Sequence, residues 1–330
     1  MIKRCFLLLL AMLLLTPMLA CCARPSASPS ASFFLMDTVI TVTLYTDENT
    51  ASGIFAECRR ILEELDGLWS RTKEGSDVSR FNDASVGTVP VDERTATLLQ
   101  VAEDVAKKTD GSFDVTVAPL VFLWQASEEA GRLPTAQELS AAMAAIGGAK
   151  LSDKGSSLQK ISDDAKIDFG GIGKGAAISA LVSYIDSTEI EGGIVSFGSN
   201  VAVIGKKPNG TDFRIALRDP KNTAAYAGTL TLRPGEILSV SGDYERFYEI
   251  GGERYHHILD PQTGYPSKSG LSSVAVVCRD GALADALSTA LLVMGELRAR
   301  ELYATGIYEF EAVFIASDGT VSTTDGILFD

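Results

Sequence analysis

The chain has 330 residues, with 29 Lys and Arg against 43 Asp and Glu, a formal net charge of −14. At 46% hydrophobic and 22% charged residues it is long and apolar enough for a sizeable core, which excludes a disordered or fibrous chain. The acidity excludes a nucleic-acid binder that tracks phosphates with a basic face, whereas a divalent cation can still join acidic side chains to a phosphate-containing ligand. At the amino terminus, Lys3 and Arg4 precede an apolar run from Cys5 to Leu15. That run is too short to span a membrane comfortably and reads as a secretory signal over residues 1–20. Ala20 before Cys21 looks like a lipoprotein cleavage site that leaves Cys21 lipidated, although Met18 stands where Leu is more usual; plain secretion with cleavage nearby is the alternative. Cleavage removes Lys3 and Arg4 and takes the charge to −16. Residues 21–32, rich in Ser, Ala and Pro, form a flexible tether, and one domain is expected over 33–330.

Residues 33–45 are strand-like, with β-branched Val39, Ile40, Thr41, Val42 and Thr43 in succession. Ile54, Cys58, Ile61, Leu62, Leu65 and Leu68 then recur at helical spacing. A second helix is expected over 93–107, and a third begins at Thr135, where Thr135 and Glu138 form a capping box. The carboxyl half is richer in strands, at 193–197, 201–204, 213–217, 228–232, 237–241 and 271–278. Helices follow at 282–294 and 297–304, with a last strand at 310–316. No CxxC occurs, so zinc and thioredoxin-like chemistry have no support, and Cys58 and Cys278 fall on apolar stretches as core residues. With no repeat and no second linker, one α+β unit is the simplest organisation.

Three segments carry candidate chemistry. Asp168-Phe-Gly-Gly-Ile-Gly-Lys-Gly175 places four glycines and a lysine ahead of a helix-compatible run, which suits either anion binding or a turn that packs closely. It is neither a Walker A loop nor GxGxxG. Asp285 and Thr289 lie four apart in an apolar helix, so a carboxylate and a hydroxyl share one face and suit Mg²⁺; a buried Asp capping a loop is the plainer reading. The only two histidines, His256 and His257, are adjacent and would face opposite ways on a strand, ahead of an Asp260-Pro261…Gly264 turn.

Together these segments resemble the ApbE family, the FAD:protein FMN transferases. The resemblance rests on Met36-Asp-Thr38, Ser79-Arg-Phe-Asn82, Phe113-Asp-Val-Thr-Val-Ala-Pro-Leu120, the Asp168–Gly175 loop, Ser196-Phe-Gly-Ser-Asn200, Ser241–Arg246, His256–Pro266 and Ala284–Thr289, in that order. It implies a single layered α+β domain of the flavin transferase type, related to the T-fold and not a Rossmann sheet. It also implies Mg²⁺-dependent transfer of FMN from FAD to a threonine hydroxyl of a partner protein, with release of AMP. Mg²⁺ would be held by Asp285, Thr289 and the Gly171 carbonyl. FAD contacts would map to Met36, Ser112, Phe113, Asp114, Asp168, Lys174 and backbone near Leu259. His257 would be the base, with His256 as the fallback. The partner would be an exported, flavin-carrying subunit of a membrane or extracellular redox system. The chain itself would be anchored by lipid to the outer, periplasmic face of the cytoplasmic membrane.

The sequence departs from the family pattern at Thr72, where many members have Tyr, and at Asp37 and Ser199, where Gly is commoner. Two other functions share parts of the pattern. A Mg²⁺-dependent FAD pyrophosphatase, giving FMN and AMP, would use the same residues. A non-catalytic FAD-binding lipoprotein could dispense with His257, Asp285 and Thr289.

Overall fold

A computed structural model describes residues 28–151 and 156–330. The signal segment 1–20, Cys21 and most of the 21–32 tether lie outside the described residues. The 33–45 stretch, expected as one strand, is a hairpin of β1 (Ser30–Leu35) and β2 (Thr38–Leu44). Met36 and Asp37 make its turn with φ of 52° and 56°. Two successive left-handed residues match the twist of the paired strands, but they are normally Asn or Gly, so the β-branched run concealed the turn. The first strand therefore begins at Ser30, within the stretch expected as tether.

The chain continues through α1 (Glu48–Trp69), α2 (Asp77–Asp83), β3 (Gly87–Pro90), α3 (Glu93–Lys108), α4 (Ala118–Glu129), α5 (Ala136–Ala144), β4 (Ala149–Leu151), β5 (Ser157–Lys160) and α6 (Gly173–Asp186). Then come β6 (Gly192–Phe197), β7 (Asn200–Gly205), β8 (Phe213–Arg218), β9 (Tyr226–Leu232), β10 (Ile237–Gly242), β11 (Phe247–Ile250) and β12 (Glu253–His256). The last elements are β13 (Leu271–Cys278), α7 (Gly281–Ala304), β14 (Glu311–Ala316) and β15 (Val321–Thr323). Thr135 caps α5 in the expected capping box, and the break between the last two expected helices falls at Gly295, with φ of 80° inside α7.

The main sheet has the order β1-β2-β6-β7-β10-β13-β14-β15, and every neighbouring pair is antiparallel. An all-antiparallel sheet is incompatible with a Rossmann topology. Strand alternation gives it two different faces. Phe197, Ile204, Ile237, Val274 and Val276 pack beneath α1, α6 and α7. Val203, Leu238, Ala275, Val277 and Val313 pack beneath the β8–β9 hairpin. Cys58 and Cys278 are both buried and unbridged, as expected of core residues.

Helices α6 and α7 touch through their backbones. A Cβ added to Gly175 would lie 1.9 Å from the Gly281 carbonyl oxygen, and one on Gly281 would lie 2.2 Å from the Gly175 carbonyl oxygen. Only glycine at both positions lets the helices approach so closely. Asp285, one turn beyond Gly281, is thereby held against the start of α6. A separate cluster of Leu120, Trp124, Leu139, Tyr248 and Leu259 joins the α4–α5 pair to the β11–β12 hairpin. Neither α4 nor this hairpin was expected from the sequence.

Candidate active site

A cleft of about 1200 Å³ opens along one end of the main sheet. Its walls are the Met36–Asp37 turn, the end of α1, the Ser112–Asp114 segment, the glycine loop, the residues after β10, the residues after β12, and the start of α7. Eleven residues expected at the site line this one cleft: Met36, Ser112, Phe113, Asp114, Asp168, Gly171, Lys174, His257, Leu259, Asp285 and Thr289; His256, the fallback base, is not among the residues that line it.

The floor is a corner of oxygen donors. Asp285 is 4% exposed; its Oδ2 accepts the Gly175 N–H at 2.9 Å and its Oδ1 accepts the Ser239 hydroxyl at 2.9 Å. No lysine or arginine pairs with it among the described residues, so its charge is met only by neutral donors. Ser241 Oγ lies 3.2 Å from Thr289 Oγ1 and 2.8 Å from Ser288 Oγ. A Cβ on Gly171 would be 3.5 Å from Thr289 Oγ1 and 3.1 Å from the Phe113 ring, so this glycine brings the loop backbone against the same corner. Among the described residues no three His, Cys, Asp or Glu side chains cluster as a metal site. One carboxylate with hydroxyl and carbonyl oxygens is instead a hard donor set suited to a cation that keeps waters and takes substrate oxygen.

The glycine loop is mostly closed upon itself. The Gly170 N–H donates to Asp168 Oδ1 at 2.6 Å, those of Ile172 and Gly173 to the Phe169 carbonyl, and that of Gly175 to Asp285. None of the loop glycines has positive φ. These bonds pack the loop closely and occupy the N–H groups of Gly170, Ile172, Gly173 and Gly175. Lys174 Nζ reaches the Gly170 carbonyl at 3.0 Å, at the cleft surface.

Asp168 Oδ2 lies 3.4 Å from Arg71 Nε, and the Arg71 guanidinium sits over the Phe122 ring. Asp114 caps the following turn, accepting from Thr116 N and Thr116 Oγ1. The Met36 methyl lies 3.7 Å from where Gly173 would carry a Cβ, and Leu259 bridges to Pro266.

The two histidines differ in what their rings can still do. His256 uses both nitrogens: Nε2 lies 2.8 Å from the Ser267 carbonyl and Nδ1 accepts the Ile258 N–H. His257 Nδ1 lies 2.9 Å from the Arg246 carbonyl. A carbonyl only accepts, so Nδ1 carries the proton and Nε2 keeps its lone pair. Burial pushes the His257 pKa down to about 4; the bond to Arg246 opposes this, and the charges of Arg246, Lys174 and His256 add to it. The ring is therefore neutral at physiological pH. Glu245 lines the same cleft and is reached by solvent, yet the enclosing walls raise its carboxyl above the usual range. Lys174 and Arg246 pull it down, and Asp285 adds to the rise.

Several residues at or behind the cleft were not singled out from the sequence. Arg71, Ser239 and Trp69 carry no local pattern that marks them, and Glu245 stands in the Ser241–Arg246 motif without having been given a role there. Asn82 stands in the Ser79–Asn82 motif, but its contact is long-range: Oδ1 accepts the Ile167 N–H at 2.7 Å and Nδ2 donates to the Ile167 carbonyl at 3.0 Å, directly before Asp168.

Residues 36–314 match the profile of the ApbE family. The chain belongs to the ApbE family. It is 34% identical over 301 residues to the FAD:protein FMN transferase of Vibrio cholerae, covering 89% of each chain. It is 33% identical over 248 residues to that of Escherichia coli K12, covering 73% of this chain and 71% of the relative. The crystal structure of the ApbE protein of Thermotoga maritima superposes with a TM-score of 0.81 at 30% identity, over 90% of this chain and 97% of that one. The apo flavinyl transferase ApbE of Pseudomonas stutzeri gives 0.75 at 28%, over 90% and 94%. The ApbE fold is thus the antiparallel, helix-backed sheet described above.

Proposed function

We propose that this chain moves FMN from FAD to a threonine hydroxyl of a partner protein and releases AMP. One observation carries the reading: a single cleft joins a buried oxygen corner, where Asp285 is met only by neutral donors among the described residues, to a neutral histidine whose Nε2 keeps its lone pair. Family membership supports it, since the curated relatives are FAD:protein FMN transferases. Trp69 adds a fit to the ligand: its buried Nε1–H, on the cleft wall, has no partner among the described residues and suits an acceptor from a ligand or water.

In this reading the threonine Oγ attacks the FMN phosphorus of the FAD pyrophosphate, the bond from that phosphorus to the bridging oxygen breaks, and AMP departs. His257 Nε2 takes the threonine proton, while Nδ1–H stays fixed on the Arg246 carbonyl. General-base help of this kind is worth about 10²–10⁴-fold. Lys174 and Arg246 lie where they can offset phosphate charge, and Asp168, held by Arg71, shapes the flavin side with Met36 and Phe113. Mg²⁺ held by Asp285, Thr289 and the Gly171 carbonyl would supply Lewis acidity and orient the phosphates.

The signal-like start supports export and a lipid anchor at Cys21, so the acceptor would be an exported flavin-carrying redox subunit. Replacing Cys21 with Ser should then move the chain from the membrane to the soluble fraction. The chemistry is tested by following FAD with purified protein and an acceptor: AMP should appear only with Mg²⁺ present and stop on chelation. AMP release that ignores EDTA would contradict the metal assignment.

A further inference from the structure

The cleft does not end at the reaction corner. Along β10, Ser239 and Ser241 turn toward Asp285 and Thr289, whereas Leu238 and Val240 turn to the opposite face of the sheet, beneath the β8–β9 hairpin, and also line the cleft. The cleft therefore wraps around the sheet's end. None of the expected FAD contacts lies on that second side.

Its wall is the free edge of β8. Among the described residues β8 pairs only with β9, and four consecutive β8 residues, Ile215 to Arg218, line the cleft. Side chains alternate on a strand, so four in a row means that the strand's edge faces the cavity. Ala216 pairs with Thr229, and Thr229 gives both its backbone groups to Asp330, on the far side of β9. That makes the pair non-hydrogen-bonded, so the Ala216 N–H and carbonyl point away from β9, into the cleft. Around this edge stand the half-buried apolar Val201 and Val240 and the 71% exposed Tyr226.

We propose that the acceptor's threonine-bearing segment binds here in extended form, as a third strand on β8, with its threonine reaching round the end of β10 to the corner. The proposal rests on the transfer reading and adds the acceptor's site and conformation. Three features favour an extended polypeptide over any other occupant. An unpaired edge supplies main-chain hydrogen bonds without regard to sequence, and the apolar floor takes alternate side chains. Val240, beside the edge, and Ser241, at the reaction corner, are neighbours on β10 that face opposite sides of the sheet, and both line the one cleft.

The test uses a synthetic threonine-containing peptide, chosen because the unaltered protein labels it with FMN. Each peptide N–H is methylated in turn. Labelling should fall at least tenfold at every second position on one side of the threonine and survive at the positions between; a scan without that period of two overturns the proposal. Independently, Ala216→Pro removes one edge N–H at a position where an edge strand tolerates proline. It should raise the acceptor KM at least tenfold, with FAD affinity and the thermal midpoint unchanged. An unchanged acceptor KM also overturns it. If the unaltered protein binds FAD but labels no threonine in any partner, the transfer reading itself falls, and the acceptor edge with it.

Discussion

His257 is held neutral by its surroundings, which fixes the pH at which it can work. In the proposed role of base the ring must be unprotonated, and burial pushes its pKa down to about 4, so the acid limb of kcat/KM should fall near 4 and not near 6.5. The same shift is linked to stability. Between pH 6.5 and about 4 the unfolded chain binds this proton and the folded chain does not, so stability falls as pH drops through that window and levels off below it. An acid limb at 6.5 would contradict the environment described. At the proposed metal corner, Asp285→Ala should abolish the Mg²⁺ dependence of activity and the activity with it. The protein should stay folded but lose about 1–3 kcal/mol, because the buried Gly175 N–H and Ser239 hydroxyl lose their acceptor. Unchanged activity in a Mg²⁺ titration would sink the assignment. Asn82→Ala tests a residue outside the cleft. Losing both bonds to Ile167 should cost about 1–3 kcal/mol in a denaturant melt and loosen Asp168 beside it. A melt matching the unaltered protein would show that this clamp is idle.

Between elements, the α6–α7 crossing sets the geometry of the corner. Gly175→Ala drives a methyl into the Gly281 carbonyl, so it should destabilise the fold by at least about 1–3 kcal/mol and reduce activity even in the protein that still folds. Gly171→Ala meets only a ring edge and a hydroxyl at ordinary or slightly tight distance, and should be much milder in the same melt. Equal effects would mean that the crossing is not what holds Asp285. Elements with a clean period or cap were legible from the sequence, as with α1, α3, the capped α5 and the apolar run of β13. The elements missed are those whose cause lies elsewhere in the chain. In α4, Leu120 and Trp124 are buried while Val121, Phe122 and Leu123 are half-buried, so no polar face marks a helical period. Trp124 Nε1 donates to the Gly264 carbonyl 140 residues away, tying α4 to the turn after His257. The β1–β2 turn was missed because Met36 and Asp37 adopt left-handed backbone without the usual residues.

Across the whole molecule, many separated stretches of chain meet at one end of an antiparallel sheet. No single stretch is distinctive, and their order along the chain is what made the site readable. The roles of Arg71, Glu245 and Asn82 depend on contacts across tens of residues, which spacing cannot reveal. The net charge of −14 takes on a local meaning here. Lys174, Arg246 and Arg71 line the same cleft as Asp285, so basic side chains are gathered at one place within an acidic chain, as the proposed binding of a phosphate-containing substrate requires. The central claim is that FMN ends on a protein. It is tested most directly by incubating the purified chain with FAD, Mg²⁺ and a flavin-free exported redox subunit, then sequencing the subunit by tandem mass spectrometry. The account predicts one FMN phosphodiester on a threonine for each AMP released; FAD consumed with FMN free in solution and no adduct would contradict it.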